Sequence, residues 1–186
     1  MRKNFGAKTF LYPMPVLIIA SYDKNGRANA MNAAWGGISD YRQISISLSA
    51  GHKTVKNILE RKAFTVSMAD VDHIKECDYV GLVSANDVPD KLERAGFHTT
   101  KSEFVDAPII DELPMVLECK LKSYDAETEV MVGEIVNVAA EERILDDKGN
   151  IDPIKLQPIT FDSVNSAYLK IGEKVGNAFK DGLELK

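Results

Sequence analysis

The chain has 186 residues, of which 45% are hydrophobic and 27% charged, and its formal net charge is -5 at pH 7. This size suits one sizeable core, so we expect a single domain over residues 1–186. A mean hydropathy of -0.17 without a long apolar run excludes a membrane span, and the acidic balance disfavours a nucleic-acid surface. The charged first residues lead into no apolar signal region, which predicts a soluble, cytoplasmic protein.

The first predicted element is a β-hairpin. Residues 16–21 form an apolar, β-branched run, and residues 27–34 resume in extended fashion. Between them Asp23, Lys24, Asn25 and Gly26 supply turn chemistry. Two such runs across a short polar turn are typical of paired antiparallel strands.

A strand, a helix and a second strand are predicted next. Residues 43–49 alternate apolar and hydroxyl side chains, so one face belongs to the core and the other is small and polar. A helical apolar stripe follows, with Thr54 as the expected N-cap and Arg61 and Lys62 at the end. Residues 63–68 return to a strand pattern.

Residues of about 69–110 interrupt the strands with a helical excursion. Short helices are predicted at 71–79 and 90–95, the second closed by Gly96. Strands at 115–124 and 129–138 then form a long hairpin, and residues 174–179 predict a last short helix. We therefore expect a mainly β protein with helices, in which antiparallel strands form a closed or partly closed, Greek-key-like barrel because closure removes exposed edges.

The junction at residues 47–54 is a candidate anion site. A strand with small polar side chains runs through Gly51 into a helix start, whose free amides attract an anion. His52, Lys53 and Thr54 can add hydrogen bonds to a phosphate. The alternative is an ordinary surface turn with a capping threonine and a solvated lysine.

Residues 28–35 form a candidate surface for a flat ligand. Small residues alternate with Asn29 and Asn32 and end at Trp35. Amides can match the carbonyl and N–H groups along a flavin edge, and Ala33 and Ala34 allow close approach of a ring. The alternative is that small residues simply fit the taper of a barrel.

The two cysteines, Cys77 and Cys119, lie far apart in the sequence. Two cysteines alone cannot form a zinc site, and we expect no metal. Free cysteine is among the most buried residue types, so each is expected to be an inert, buried thiol.

Short motifs in a fixed order resemble the flavin reductase-like family, and most of all its flavoredoxins. The resemblance extends from residue 6 to residue 179. Its motifs are Pro15-Val16-Leu17-Ile18, Asp23-Lys24-Asn25-Gly26, Asn29-Ala30-Met31-Asn32-Ala33-Ala34-Trp35, His52-Lys53-Thr54-Val55-Lys56-Asn57-Ile58, Ala63-Phe64-Thr65-Val66-Ser67, Asp78-Tyr79-Val80-Gly81 and Leu117-Glu118-Cys119.

The resemblance implies an FMN-binding split β-barrel with non-covalent FMN, acting as a homodimer with sites near the subunit interface. It implies that Met31, Asn32, Ala33 and Ala34 line the isoalloxazine. Ser47, Leu48 and Ser49 would border the ring and ribityl chain. The phosphate end would be held by His52, Lys53, Thr54 and Asn57, with Cys77, Tyr79 and Tyr168 as further candidates.

Three functions follow as hypotheses. The leading one is an FMN-dependent oxidoreductase that takes electrons from a nicotinamide donor or relays them to a redox-protein partner. No catalytic side chain is assigned, because flavin chemistry belongs largely to the cofactor. The alternatives are a non-enzymatic module that stores or senses flavin and a thiol-based redox protein that uses Cys77.

Overall fold

A computed structural model describes residues 1–186. The first half contains five strands and three helices: β1 Leu17–Tyr22, β2 Ala28–Ala33, β3 Gly36–Asp40, β4 Gln43–Ser47, α1 Lys53–Arg61, β5 Ala63–Met68, α2 Ile74–Leu82 and α3 Lys91–Ala95. The second half contains β6 Thr99–Lys101, β7 Pro108–Ile110, β8 Met115–Asp125, β9 Val130–Ala140, α4 Pro153–Leu156, β10 Ile159–Asp162 and β11 Ala167–Lys170, with short 3-10 helices at Glu142–Ile144 and Asp181–Leu185.

Seven strands form one curled antiparallel sheet, in the order β2-β1-β5-β8-β9-β4-β3. Its edge strands β2 and β3 are consecutive in the chain, as expected where a sheet curls toward closure. Strands β6–β7 and β10–β11 form two separate small hairpins. The predicted fold class, a mainly β split barrel with helices, is confirmed. No helix is both long and apolar enough to cross a membrane.

Strand β1 divides the two main parts of the core. Leu17 and Ile19 face the cluster that α1 covers, whereas Ile18 and Ala20 face the cluster beneath α2 and α3. Because neighbouring side chains of a strand point to opposite faces, a strand covered on both sides must be apolar throughout. This explains the continuous apolar run at residues 16–21, because β1 lies between the layer of α1 and the layer of α2 and α3.

Most of the predicted elements are confirmed. The first hairpin is β1–β2, residues 63–68 form β5, and the two long strands form β8–β9. The excursion holds α2 and α3, and Gly96 ends α3 with a φ of 76°. The alternating strand places Ile44, Ile46 and Leu48 in the core.

Two predictions about local structure are wrong, and five short strands were not predicted. Helix α1 begins at Lys53 with His52 as its N-cap residue, so Thr54 does not cap it. Residues 174–179 are not helical, and a 3-10 helix lies instead at Asp181–Leu185. Strands β3, β6, β7, β10 and β11 have too few residues or too little alternation to be recognised from periodicity.

The segment before β1 is tied to the hairpin β10–β11. The Tyr12 hydroxyl donates a hydrogen bond to the Asp162 carboxylate, and the Met14 amide donates to Thr160 Oγ1 over 2.9 Å. The Tyr12 hydroxyl and then the Asn165 amide hold the pKa of Asp162 at about 2, below its ordinary value of 3.8. These contacts keep β10–β11 beside the end of β2.

This pKa predicts a specific loss of stability in acid. Because the folded-state pKa is the lower one, Asp162 stabilises the fold above about pH 4, and the contribution disappears as pH falls through about 2. We expect the stability difference between wild type and Asp162→Asn, measured by urea unfolding, to be constant above about pH 5 and to shrink below about pH 4. Asp147→Asn, at an exposed aspartate, is the control. A difference independent of pH down to about 2 would contradict this prediction.

Candidate functional site

Two hollows lie side by side between β2 and helix α2. The first, of about 290 Å³, is mostly apolar, and the second, of about 260 Å³, is more polar. Both are lined by Asn32, Gly81 and Leu82, so they join there. The first is completed by Val16, Ala33, Ala34, Asp78, Phe161 and Tyr168, and the second by Met31, His52, Lys53, Thr54, Val80, Val83, Ser84, Ala85 and Lys91.

The junction of the two hollows depends on a close approach of α2 to β2. A Cβ atom added to Gly81 would lie 2.8 Å from the Cβ of Asn32, which is closer than real side chains pack. The Asn32 amide donates from Nδ2 to the carbonyl of Cys77 over 3.1 Å. The absence of a side chain at residue 81 and this hydrogen bond together set the position of Asn32.

The first hollow has a hydrogen-bonding pair on its wall. The Tyr168 hydroxyl donates to Asp78 Oδ1 over 2.6 Å. Burial, and then this carboxylate, raise the pKa of Tyr168 to about 12, so the hydroxyl keeps its proton at neutral pH. The ring of Tyr168 lies beside that of Phe161, with centroids 6.1 Å apart. This hollow therefore combines aromatic and small apolar walls with a fixed polar pair.

The second hollow contains the start of α1. No side chain caps this helix, so its first amides have no acceptor within the helix and carry the positive end of its dipole. His52 and Lys53 stand at the same end. A helix start with free amides, a neighbouring lysine and an imidazole ring is suited to a phosphate or another anion.

A buried polar cluster fixes that helix start. Asn29 donates from Nδ2 to Thr54 Oγ1 over 2.7 Å, and Asn57 donates from Nδ2 to Ser21 Oγ over 3.3 Å. All four side chains are buried, and Asn29 Oδ1 has no hydrogen-bond partner. The Asn29 side chain supports the helix start from behind, because it lies outside the lining of both hollows.

Lys91, the first residue of α3, also lines the second hollow. Its Nζ donates to the carbonyls of Val80 and Val83, each over 2.9 Å. Only 3% of the residue is exposed, and burial lowers the pKa of Lys91 to about 8. The lining of the polar hollow therefore includes lysines from both α1 and α3.

The model of the flavin reductase like domain family matches residues 9–155. The chain belongs to the flavin reductase-like family. This membership supports a flavin-related oxidoreductase function and a flavin cofactor, and the resemblance read from the sequence is confirmed.

Solved structures of flavin reductase-like proteins share the fold along the whole chain. The flavoredoxin of Desulfovibrio vulgaris (Miyazaki F) is 36% identical, with a TM-score of 0.94, over 98% of this chain and 100% of that one. The flavoredoxin from Methanosarcina acetivorans is 28% identical, with a TM-score of 0.89, over 100% of both chains. Nitrilotriacetate monooxygenase component B from Bacillus cereus, at 22% identity and a TM-score of 0.78 over 90% of this chain and 89% of that one, shares the fold.

The fold brings eight of the fourteen predicted site residues to the two hollows. These are Met31, Asn32, Ala33, Ala34, His52, Lys53, Thr54 and Tyr168. They come from β2, the start of α1 and β11, which are distant in sequence. The candidate site of this flavin reductase-like chain is therefore assembled by the curl of the sheet and by the β10–β11 hairpin.

The other six predicted site residues do not line either hollow. Leu48 packs in the core, and Ser49 Oγ donates to Glu129 Oε2 over 2.7 Å. Asn57 and Cys77 are buried behind the walls, and Tyr79 packs beside the cluster beneath α2. Ser47 ends β4 and is half-buried. Their contacts with a flavin stay predictions of the family resemblance.

Several residues of the site were not predicted from the sequence. Asp78 and Gly81 belong to a motif that carried the resemblance, yet no role followed from it. A glycine inside a helical pattern could have indicated a close approach at residue 81. Lys91 and Phe161 gave no such indication, because only the folded chain shows that a lysine is buried there and that β10 lies beside β2.

Cys77 lacks the surroundings of a reactive thiol. It is buried, and burial together with the charges of Asp70 and Glu76 raises its pKa to about 12. Nucleophilic and redox cysteines are accessible and have a lowered pKa. Cys119 is also buried, with its pKa raised to about 12. The thiol-based alternative is therefore disfavoured.

We expect Cys77→Ser to retain electron transfer. The rate of reduction of an artificial acceptor, measured with bound flavin, should stay within about twofold of wild type, because only the backbone carbonyl of Cys77 contacts Asn32. The free energy of unfolding should fall by about 1–2 kcal/mol, since a hydroxyl replaces a buried thiol. Loss of electron transfer with flavin still bound would instead favour the thiol mechanism.

Proposed function

We propose that this chain binds FMN non-covalently in the two joined hollows and is an oxidoreductase that transfers electrons through it. The observation that carries the proposal is the junction at Asn32, where an apolar hollow with small walls meets a polar hollow with cations. FMN has the same division into a flat ring and an anionic tail. When bound, it supplies hydride acceptance and the release of electrons singly or in pairs.

The ring end of the proposed site is the first hollow. Ala33 and Ala34 offer little bulk on one wall, which leaves space for a flat ring beside β2. Asn32 and Tyr168 supply hydrogen-bonding groups where the edge of a ring carries carbonyl and N–H groups. These residues bind and orient the ring, and none of them is assigned as an acid or base.

The phosphate end of the proposed site is the start of α1. The uncapped amides of its first turn donate to phosphate oxygens, and Lys53 and His52 add charge-assisted hydrogen bonds. The residues present therefore fit FMN at both ends.

The first experiment is purification without added flavin, followed by a visible spectrum and mass identification of any released chromophore. Absorption bands near about 370 and 450 nm, with about one FMN per chain, are expected for a bound flavin. A colourless protein that also fails to bind added FMN would overturn the proposal.

A second experiment separates an oxidoreductase from a storage or sensing module. The FMN-loaded protein is mixed with NADH or NADPH in a stopped-flow instrument, and bleaching of the flavin is recorded. Bleaching identifies a nicotinamide reductase. If neither donor acts, chemical reduction followed by ferricyanide tests electron release, and flavin that stays reduced would favour the non-enzymatic module.

We also propose a homodimer. Phe10, Leu11, Trp35 and Ile38 are large apolar side chains exposed near one edge of the sheet, and Trp35 lines a groove of about 390 Å³ with the segment before β1. Apolar surface of this kind marks an interface. Residue ranges 1–13 and 171–186 are exposed and can extend over a second copy. Light scattering at micromolar concentration is expected to give the mass of a dimer, and a monomer mass would contradict it.

A further inference from the structure

Asp78 is a charged residue of the first hollow to which the proposed binding of FMN gives no role. The rest of the lining consists of apolar residues, Gly81, Asn32 and Tyr168, so Asp78 is the only charged side chain of this hollow. Asp78 and Gly81 stand three residues apart on α2, which puts both on the helix face that lies against β2. The charge of Asp78 therefore borders the space that the proposed function assigns to the ring.

No cation neutralises the Asp78 carboxylate. Its Oδ1 accepts from the Tyr168 hydroxyl over 2.6 Å, and no lysine, arginine or histidine forms an ion pair with it. The pKa of Tyr168, raised to about 12, keeps the proton on the tyrosine, so the pair carries one negative charge. The basic side chains of His52, Lys53 and Lys91 line the second hollow only. The ring end of the site is thus negative, and the basic groups lie at the other end.

A negative charge beside a flavin acts differently on its oxidised and reduced states. The oxidised ring is neutral. Reduction adds two electrons from the donor together with either one proton, which leaves an anionic ring, or two protons, which leave a neutral ring. A nearby carboxylate opposes the anionic form and has little effect on the two neutral forms. Wherever the anionic form contributes, the carboxylate therefore disfavours reduction.

We infer that the Asp78 carboxylate opposes negative charge on the reduced ring and so lowers the midpoint potential of the bound flavin, which makes the reduced protein a stronger electron donor. The inference rests on the proposed function and deepens it, because it assigns the redox potential of the site to one side chain of α2. Tyr168 is then a positioning residue, since its hydrogen bond holds the carboxylate at the ring end of the site.

The test is the midpoint potential of the FMN-loaded protein, measured against reference dyes during reduction by dithionite. At about pH 9, where reduced flavin in water is anionic, Asp78→Asn is expected to raise the ratio of reduced to oxidised flavin at a fixed potential by about 10- to 100-fold, as for removal of a unit charge several ångströms away. For a two-electron couple this is a shift of about 30–60 mV. At about pH 6, where reduction adds two protons, the difference between the two proteins should fall below about threefold.

Two further variants separate the charge of Asp78 from its structural role. Asp72→Asn removes the same charge from an exposed position before α2 and is expected to leave the potential unchanged. Tyr168→Phe removes the hydrogen bond and keeps the carboxylate, so the potential should not rise. The basic groups of the second hollow are the same in every variant.

A rise of equal size in Asp78→Asn and Tyr168→Phe would overturn the inference, because the pair would then act only by holding β11 against α2. An unchanged or lower potential in Asp78→Asn at about pH 9 would also overturn it. Asp78→Ser, which is likewise uncharged, makes the same comparison if the asparagine variant does not retain FMN. Wild type that binds no FMN rejects the proposed function, whereas FMN-loaded wild type with the potential of Asp78→Asn rejects only the role of Asp78.

Discussion

Gly133→Ala is expected to lower the free energy of unfolding by about 3 kcal/mol, because it overpacks the centre of the sheet. A Cβ at residue 133 would lie 2.9 Å from Phe64 Cε1, closer still to its Cζ, and 3.4 Å from Cys119 Cβ. Phe64 is fully buried and has no free space into which its ring can turn. Urea unfolding measures the loss.

Gly37→Ala is the matched control for this prediction. Gly37 lies in β3, and a Cβ there would meet no atom within 4 Å, so its substitution should change stability by no more than about 0.5 kcal/mol. Phe64→Leu removes the aromatic edge that the new methyl group would strike. We therefore expect the double variant Gly133→Ala with Phe64→Leu to lose less free energy of unfolding than the sum of the losses of the two single variants. A Gly133→Ala variant within about 1 kcal/mol of wild type would contradict the packing argument.

Gly81→Ala is expected to weaken FMN binding by about tenfold or more, because the new methyl group must displace Asn32 at the junction of the two hollows. In an exposed helix, alanine in place of glycine stabilises by about 1 kcal/mol, so helix propensity acts in the opposite direction. The variant should remain folded, since the strain is relieved by a shift of α2 or Asn32. Fluorescence titration with FMN measures the effect.

Asn32→Gly combined with Gly81→Ala supplies the control. Glycine at residue 32 removes the Cβ that the new methyl group would meet, so the second substitution should add little further loss of affinity to the first. If Gly81→Ala alone binds FMN within about twofold of wild type, the close approach of α2 to β2 does not position the site.

Local sequence pattern was sufficient for the elements with strong periodicity or distinctive turns. The β1–β2 hairpin, strand β5 and the β8–β9 hairpin follow from alternation, apolar runs and turn residues, which depend on near neighbours. The order of motifs also predicted the family and most of the strand that lines the site. Short strands such as β10 and β11 were missed, because they are stabilised by their mutual pairing and by isolated bridges to residues 15 and 70.

Contacts distant in sequence decided the rest of the candidate site. Thr54 was expected to cap α1, yet its hydroxyl accepts from Asn29 instead, because the curled sheet places β2 against that helix.

The sequence by itself determined the family, the mainly β fold and the residues of β2 and of the start of α1, because these depend on local pattern and on motif order. Only the tertiary structure decided that Lys91 is buried beside the polar hollow, that Gly81 lies against Asn32 and that Tyr168 pairs with Asp78. Each of these contacts joins elements whose separation along the chain reveals nothing about their distance in space, and packing of the sheet against its helices determines that distance.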